Sequence, residues 1–297
     1  MKKIIFFLSA ALIALTSCEP EDNGDYKPIQ PKYVDKITHA NGSVIDIEYD
    51  SDMRVKSVSY TDALNAANNR NYEIKYNLNM NNNSITFDII SGDKKYLMKF
   101  NEFGALSEFV LNDTKQQILS TFDYNQYTSI SAFHLELKNI VDLLTGGETK
   151  RIDWSSYGVP SNQINEIYKT VNGTTYTYST TIQYSYLESI SNVHTNVNLF
   201  NLLTPEFLVH SNIPLELAAT VSVFGTRSNL LPTNVTITEG RAETGENYVK
   251  LSEENREFTF DVDQNNFVKK IYTGSKANDN KALLYTIAYV GDKEDED

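Results

Sequence analysis

Tyr176, Tyr178 and Tyr184 share one parity in the stretch TTYTYSTTIQYSY, and Trp154 is the only tryptophan of the chain. Equal parity on a strand means one face, with Thr175, Thr177 and Gln183 alternating with the rings. Flat rings beside polar groups can stack on sugars. The same row can also pack a sheet face, with its hydroxyls reaching water. The four histidines, His39, His134, His194 and His210, have no Cys or His at zinc-ligand spacing. DVDQNN (Asp261–Asn266) begins like a calcium loop, but its sixth position is Asn266 rather than Gly and its twelfth is Tyr272 rather than Glu. No nucleophile elbow, phosphate loop or dinucleotide fingerprint occurs. Carboxylates are plentiful, and nothing singles out a glycosidase pair among them. No catalytic residue, metal or cofactor is expected.

The lone thiol carries a clearer chemistry. Residues 1–17 have a basic start, an apolar core and Leu15-Thr16-Ser17 directly before Cys18, the only cysteine. This reads as a secretory signal peptide whose end looks like a bacterial lipobox, with Cys18 acylated after cleavage. Each buried CH₂ adds roughly 0.8 kcal/mol, so several acyl chains on one residue make a permanent anchor. With one cysteine there is no internal disulfide framework, and the core must stabilise the fold. Residues 18–32 hold three prolines and four acids and almost nothing apolar, the composition of a flexible tether. Residues 33–290 read as a single β domain and residues 291–297 as an acidic tail. The net charge of −13 deepens by two when Lys2 and Lys3 leave with the signal. That balance argues against nucleic acid, whose binding needs Lys and Arg on phosphates.

A ten-residue phrase recurs along the domain: YDSDMRVKSV (Tyr49–Val58), FNEFGALSEF (Phe100–Phe109) and VDQNNFVKKI (Val262–Ile271). Each has an aromatic or apolar strand end, an Asx residue that starts a turn, a turn exit, and two apolar residues three apart. Gly104 and Asn266 suit left-handed backbone at the exit; Met53 costs about 1–2 kcal/mol there, or its turn is of another type. Two weaker copies, YNQYTSI (Tyr124–Ile130) and YSYLESI (Tyr184–Ile190), keep only the spacing. The step of three means either a bulge or a sheet apolar on both faces. Between these corners the chain alternates as strands do. The expected fold is all-β: a large antiparallel meander of hairpins forming a curled sheet, open barrel or sandwich. A Leu-rich segment broken by Pro205 and Pro214 predicts short helical turns near 195–225, covering an end or the concave side.

YDSDMRVKSV resembles the tyrosine–aspartate repeats of large bacterial shell proteins, from which it departs at Met53. The order of features resembles more closely a family of secreted Bacteroidetes lipoproteins, catalogued as a domain of unknown function with a porin-like β fold. The likeness covers lipobox, acidic tether, degenerate hairpins and a Leu- and Asn-rich stretch before Leu231-Pro232, roughly Tyr33 to Val290. It brings no catalytic residues. It implies an outer-membrane lipoprotein, with an acidic run behind Cys18 like that of surface-exported members. The expected role is a non-catalytic cell-surface binding module for a glycan or another envelope protein, with Trp154, Tyr176, Tyr178 and Tyr184 as candidate ligand contacts. The alternatives are a periplasm-facing carrier of an apolar ligand or structural lipoprotein, and an enzyme acting on glycans.

Overall fold

The structure, a computed structural model, describes residues 32–79, 84–100, 106–112, 117–124, 130–138, 145–154, 159–187, 190, 197–205, 214–220, 230–243, 246–274 and 281–291. Its architecture starts from turn chemistry. Oδ1 of Asp50 accepts the backbone N–H of Asp52 at 2.9 Å and of Arg54 at 3.0 Å. Oδ1 of Asp263 does the same for Asn265 at 2.8 Å and Phe267 at 3.0 Å. The exit residues, Met53 and Asn266, both stand in left-handed backbone, with φ +57° and +64°. Met53 therefore takes the strained form of the same turn rather than another type. Gly104 and the turn at 125–129 lie outside the described residues.

Each phrase then needs one extra residue to re-aim the returning strand. The ladder register shifts between Glu48 and Tyr49, between Lys99 and Phe100, and between Asp261 and Val262. These bulges explain the apolar step of three: Val55 and Val58 are both buried, as are Val268 and Ile271. The weaker copy at Tyr184–Ile190 is not a hairpin corner. It has no turn former but Ser185, and the strand ending there pairs with residues 234–243 instead.

Among the described residues there are sixteen strands: β1 (Val34–His39), β2 (Val44–Tyr49), β3 (Val55–Thr61), β4 (Arg70–Asn79), β5 (Ser84–Ser91) and β6 (Lys94–Phe100). There follow β7 (Leu106–Asn112), β8 (Gln117–Tyr124), β9 (Ile130–Lys138), β10 (Thr145–Trp154) and β11 (Pro160–Val171). The last are β12 (Thr174–Ser185), β13 (Asn234–Glu243), β14 (Val249–Val262), β15 (Val268–Thr273) and β16 (Ala282–Tyr289). Each pairs antiparallel with the next. β16 returns to β1, Ile287 opposite Ile37, so the meander closes into a barrel. Closure removes the free sheet edges.

Because the strands alternate in direction, every second turn falls at the same end. The Asp50 and Asp263 turns share one end, here the base, with Tyr33, whose carbonyl accepts the N–H of Val290 at 2.8 Å. The opposite end, the mouth, carries the turn at Asn41–Gly42 and the loop from Asp62 to Asn69.

Inward positions are apolar: Ile37, Val58, Tyr72, Ile89, Met98, Ile182, Val235, Phe258, Ile271 and Ile287 are all buried. Outward positions carry polar rungs between strands. Lys36 meets Asp46 at 3.8 Å, Ser57 donates to Glu48 at 2.9 Å, Asn77 to Asp88 at 2.5 Å, and Thr236 to Asn255 at 2.7 Å.

Residues 186–233 join β12 to β13 and hold α1 (Leu199–Leu203) and α2 (Leu215–Thr220), where short helical turns were expected. Every residue of α1 is buried, and so is all of α2 after Leu215. A helix buried all round has no wet face to offer. The two are tied by Asn198 N–H to the Ala219 carbonyl at 2.6 Å and by Asn201 Nδ2 to the Ala218 carbonyl at 2.7 Å. They share one apolar core with the inward faces of β1–β6 and β12–β16, so they form a plug against that part of the wall.

Candidate functional site at the mouth of the barrel

The tyrosine row of β12 faces inward, on the same side as Ile182. At the base end Tyr184 is 7% exposed. Its ring lies 5.4 Å from that of Phe200, and its hydroxyl donates to Gln163 Oε1 at 3.1 Å. Gln163 in turn donates to Asn165 Oδ1 at 2.9 Å, a buried polar ladder on the lumen wall. Tyr176 and Tyr178, nearer the mouth, are half-buried, with ring centroids 6.3 Å apart and the Arg241 guanidinium 5.6 Å from the Tyr176 ring. Trp154 ends β10 opposite Pro160 at the base; its side chain lies outside the described residues. Seven residues of strand separate its level from Tyr178, about 23 Å. The four aromatics are therefore not brought together into one stacking platform. Cys18 lies outside the described residues, as do His194 and His210.

Two cavities open at the mouth instead. The first, about 390 Å³, has an apolar floor of Ile37, Ile45, Tyr60, Leu202 and Tyr285 and a polar rim that includes His39, Asp62, Arg70 and Glu216. The second, about 560 Å³, lies beyond Leu202 and Tyr285, which line both, and is edged by the Glu254–Arg256 ion pair (2.6 Å). Both volumes suit small ligands.

The polar rim of the first cavity is built by distant segments. Glu216, in α2, is the one acid in the apolar run LELAAT, and its side chain is 7% exposed. Its Oε1 accepts Arg70 Nη1 at 3.0 Å and the Tyr72 hydroxyl at 2.5 Å. Burial, with the Glu216 charge beside it, pushes the Tyr72 phenol far above its ordinary range. His39 Nδ1 accepts the Asn41 N–H at 3.0 Å, which leaves the neutral ring its proton on Nε2. The His39 ring stands edge-on to Tyr285 at 5.0 Å. Tyr285 is pushed up to about 12 by burial and by Tyr60. Asp62 is held low by Asn68 Nδ2 and by the N–H groups of Leu64 and Asn65.

The Asp261–Asn266 stretch is spent on structure, since Asp263 holds its own turn and pairs with Lys32 at 3.0 Å. Among the described residues no cluster of His, Cys, Asp and Glu is placed to hold a metal ion. Sequence reasoning passed over Arg70, Tyr72 and Glu216. The one signal was an acid at the centre of a Leu- and Ala-rich helix, where an unpaired charge is costly.

Among solved structures the chain is similar to a porin-like protein from Bacteroides vulgatus, at 15% identity and TM-score 0.57, over 86% of this chain and 98% of that one. It is likewise similar to a porin-like protein from Bacteroides uniformis, at 12% identity and TM-score 0.55, over 87% and 99%. No family model matches the chain, and no curated protein matches it. At these identities the likeness establishes the fold alone: this chain has a porin-like β-barrel fold.

Proposed function

We propose that the protein is a lipid-anchored, non-catalytic binding module of the bacterial envelope, related to the secreted Bacteroidetes lipoproteins its sequence resembles. In this reading its barrel stands in water, not in the bilayer. The observation that carries this is the polarity of the wall. A membrane-spanning barrel shows an apolar band about 25 Å tall to the lipid and keeps its polar residues inside. Among the described residues the order is reversed, with Lys36–Asp46 and Asn77–Asp88 rungs outside and Ile37, Ile89 and Ile287 inside. An outward lysine at the bilayer midplane costs about 2–4 kcal/mol, and outward Lys75, Lys95 and Lys99 would add to Lys36.

Binding at the mouth is favoured over carriage of an apolar cargo, because α1 and α2 already cover the inward faces of β1–β6 and β12–β16. Lys32 pairs with Asp263 at the base, the end of the barrel opposite the mouth. In this reading the mouth is open to partners outside the outer membrane.

The test is the full chain with Cys18→Ala. It is expected to lose fatty-acid labelling and to be recovered folded without detergent. Retention in the membrane fraction with intact labelling would end the lipoprotein reading. Discrete conductance steps from the purified protein in planar bilayers would end the extramembranous one.

A further inference from the structure

We infer that the first mouth cavity binds a neutral polyol, a single sugar ring or the end of a glycan, with Glu216 and Arg70 reading two neighbouring hydroxyls. This rests on the reading of the mouth as open to water.

Glu216 carries the point. Both of its protein hydrogen bonds go to Oε1, from Arg70 and from Tyr72. Oε2 has no protein partner among the described residues, although the side chain is 93% buried and lines the cavity. Glu216 lines the cavity, and its second carboxylate oxygen is not among the atoms sealed from solvent, so a hydroxyl entering the cavity can take the place of water there. Arg70 stands alongside. It gives Nη1 to Glu216 but is 47% exposed, which leaves further N–H groups facing outward. An acceptor and a donor fixed side by side match a pair of adjacent hydroxyls, each of which both gives and takes a hydrogen bond.

The remaining lining narrows the class. Ile37, Ile45, Leu202, Tyr60 and Tyr285 make an apolar floor, which suits the C–H face of a ring. The Glu216 and Arg70 charges cancel. Asp62 remains, with its oxygens taken up by Leu64, Asn65 and Asn68, and its charge repels an anion. An amine would gain Glu216 and meet Arg70. A neutral hydroxylated ring satisfies every group without a like-charge contact.

The experiment is saturation-transfer NMR and calorimetry on the full-length protein. The probes are methyl glycosides of glucose, galactose, mannose and N-acetylglucosamine, with propylammonium and decanoate as charged controls. At least one glycoside is expected to bind while neither control does. Glu216→Gln is expected to weaken that glycoside at least tenfold. Since Glu216 also supports the plug, Leu215→Trp provides a second variant. Leu215 sits on the cavity rim and is 36% exposed, so an indole there fills the space without opening the core; it is expected to abolish binding with an unchanged melt. Three outcomes would overturn the inference: no glycoside binds, a charged control binds more tightly, or a glycoside binds equally well to both variants. None of these touches the extramembranous reading, which is tested separately by detergent-free recovery and by planar-bilayer conductance.

Discussion

Met53 and Asn266 occupy the same position in two turns from opposite ends of the chain, each following an aspartate that holds the loop by two backbone N–H groups. Both are left-handed, at φ +57° and +64°, yet only asparagine tolerates that backbone cheaply. Met53→Asn should therefore stabilise the barrel by about 1 kcal/mol, and Met53→Gly by less, because glycine also loosens the unfolded chain. For a domain of this size that is about 2–4 °C in melting temperature. A drop in melting temperature for Met53→Asn would contradict the shared turn geometry.

Alkaline pH should unfold the protein through its buried phenols. Tyr76 and Tyr285 are each pushed up to about 12, chiefly by burial, and Tyr72 is raised further. Below pH 10 folded and unfolded chains both keep these protons, so the stabilisation is complete. Above about pH 10 the unfolded chain releases them first, and stability falls until the folded values are reached. The slope is about 1.4 kcal/mol per pH unit for each such tyrosine. Urea titrations between pH 9 and 12 should show it, with a shallower fall for Tyr285→Phe. An identical slope in that variant would remove Tyr285 from the account.

The β12 row should divide in two under truncation. Tyr184→Ala empties a filled site against Phe200 and removes the hydrogen bond to Gln163 Oε1, for a cost of about 3–5 kcal/mol. Tyr176→Ala removes a half-buried ring and should cost about 1–2 kcal/mol. Equal losses in the two melts would mean that the row is packed uniformly.

Lys32 clasps the start of the barrel. It pairs with Asp263 at 3.0 Å and lies over the rings of Phe267 and Tyr289 at 5.1 and 5.2 Å. Lys32→Ala should cost about 1 kcal/mol. Asp263 is held below its ordinary value, with burial opposing and Lys32 and two backbone N–H groups prevailing. A depressed carboxylate stabilises above its unfolded value and loses that contribution as pH falls through the folded one. The Lys32→Ala deficit should therefore shrink in acid. A deficit unchanged from pH 7 to pH 2 would assign it to packing alone.

Local chemistry was legible in the sequence, and long-range meeting was not. Asp50 and Asp263 announced their turns because an Asx residue bonds backbone two residues on, a contact written into neighbouring positions. The helical turns near 195–225 were visible because Leu-rich spacing and two prolines exclude a strand there. Tyr176, Tyr178 and Tyr184 were rightly placed on one face, but parity does not say which face is inside. Closure depends on Val34 meeting Tyr289, and no local pattern marks that. Glu216 drew no attention because its partners, Arg70 and Tyr72, come from the far side of the barrel.

The seam between β1 and β16 also decides the order of assembly. Fourteen of the sixteen ladders join strands that follow one another after a short connection, so each costs little chain entropy to form. The ladder between β12 and β13 must first accommodate the plug, and the seam must bring together the two ends of the domain. Hairpins can zip early and locally, while the seam waits until the sheet has curled around α1 and α2. Refolding should thus be limited by one late, non-local step, and until it occurs β1 and β16 present the open edges on which nascent chains of this protein would stick to one another.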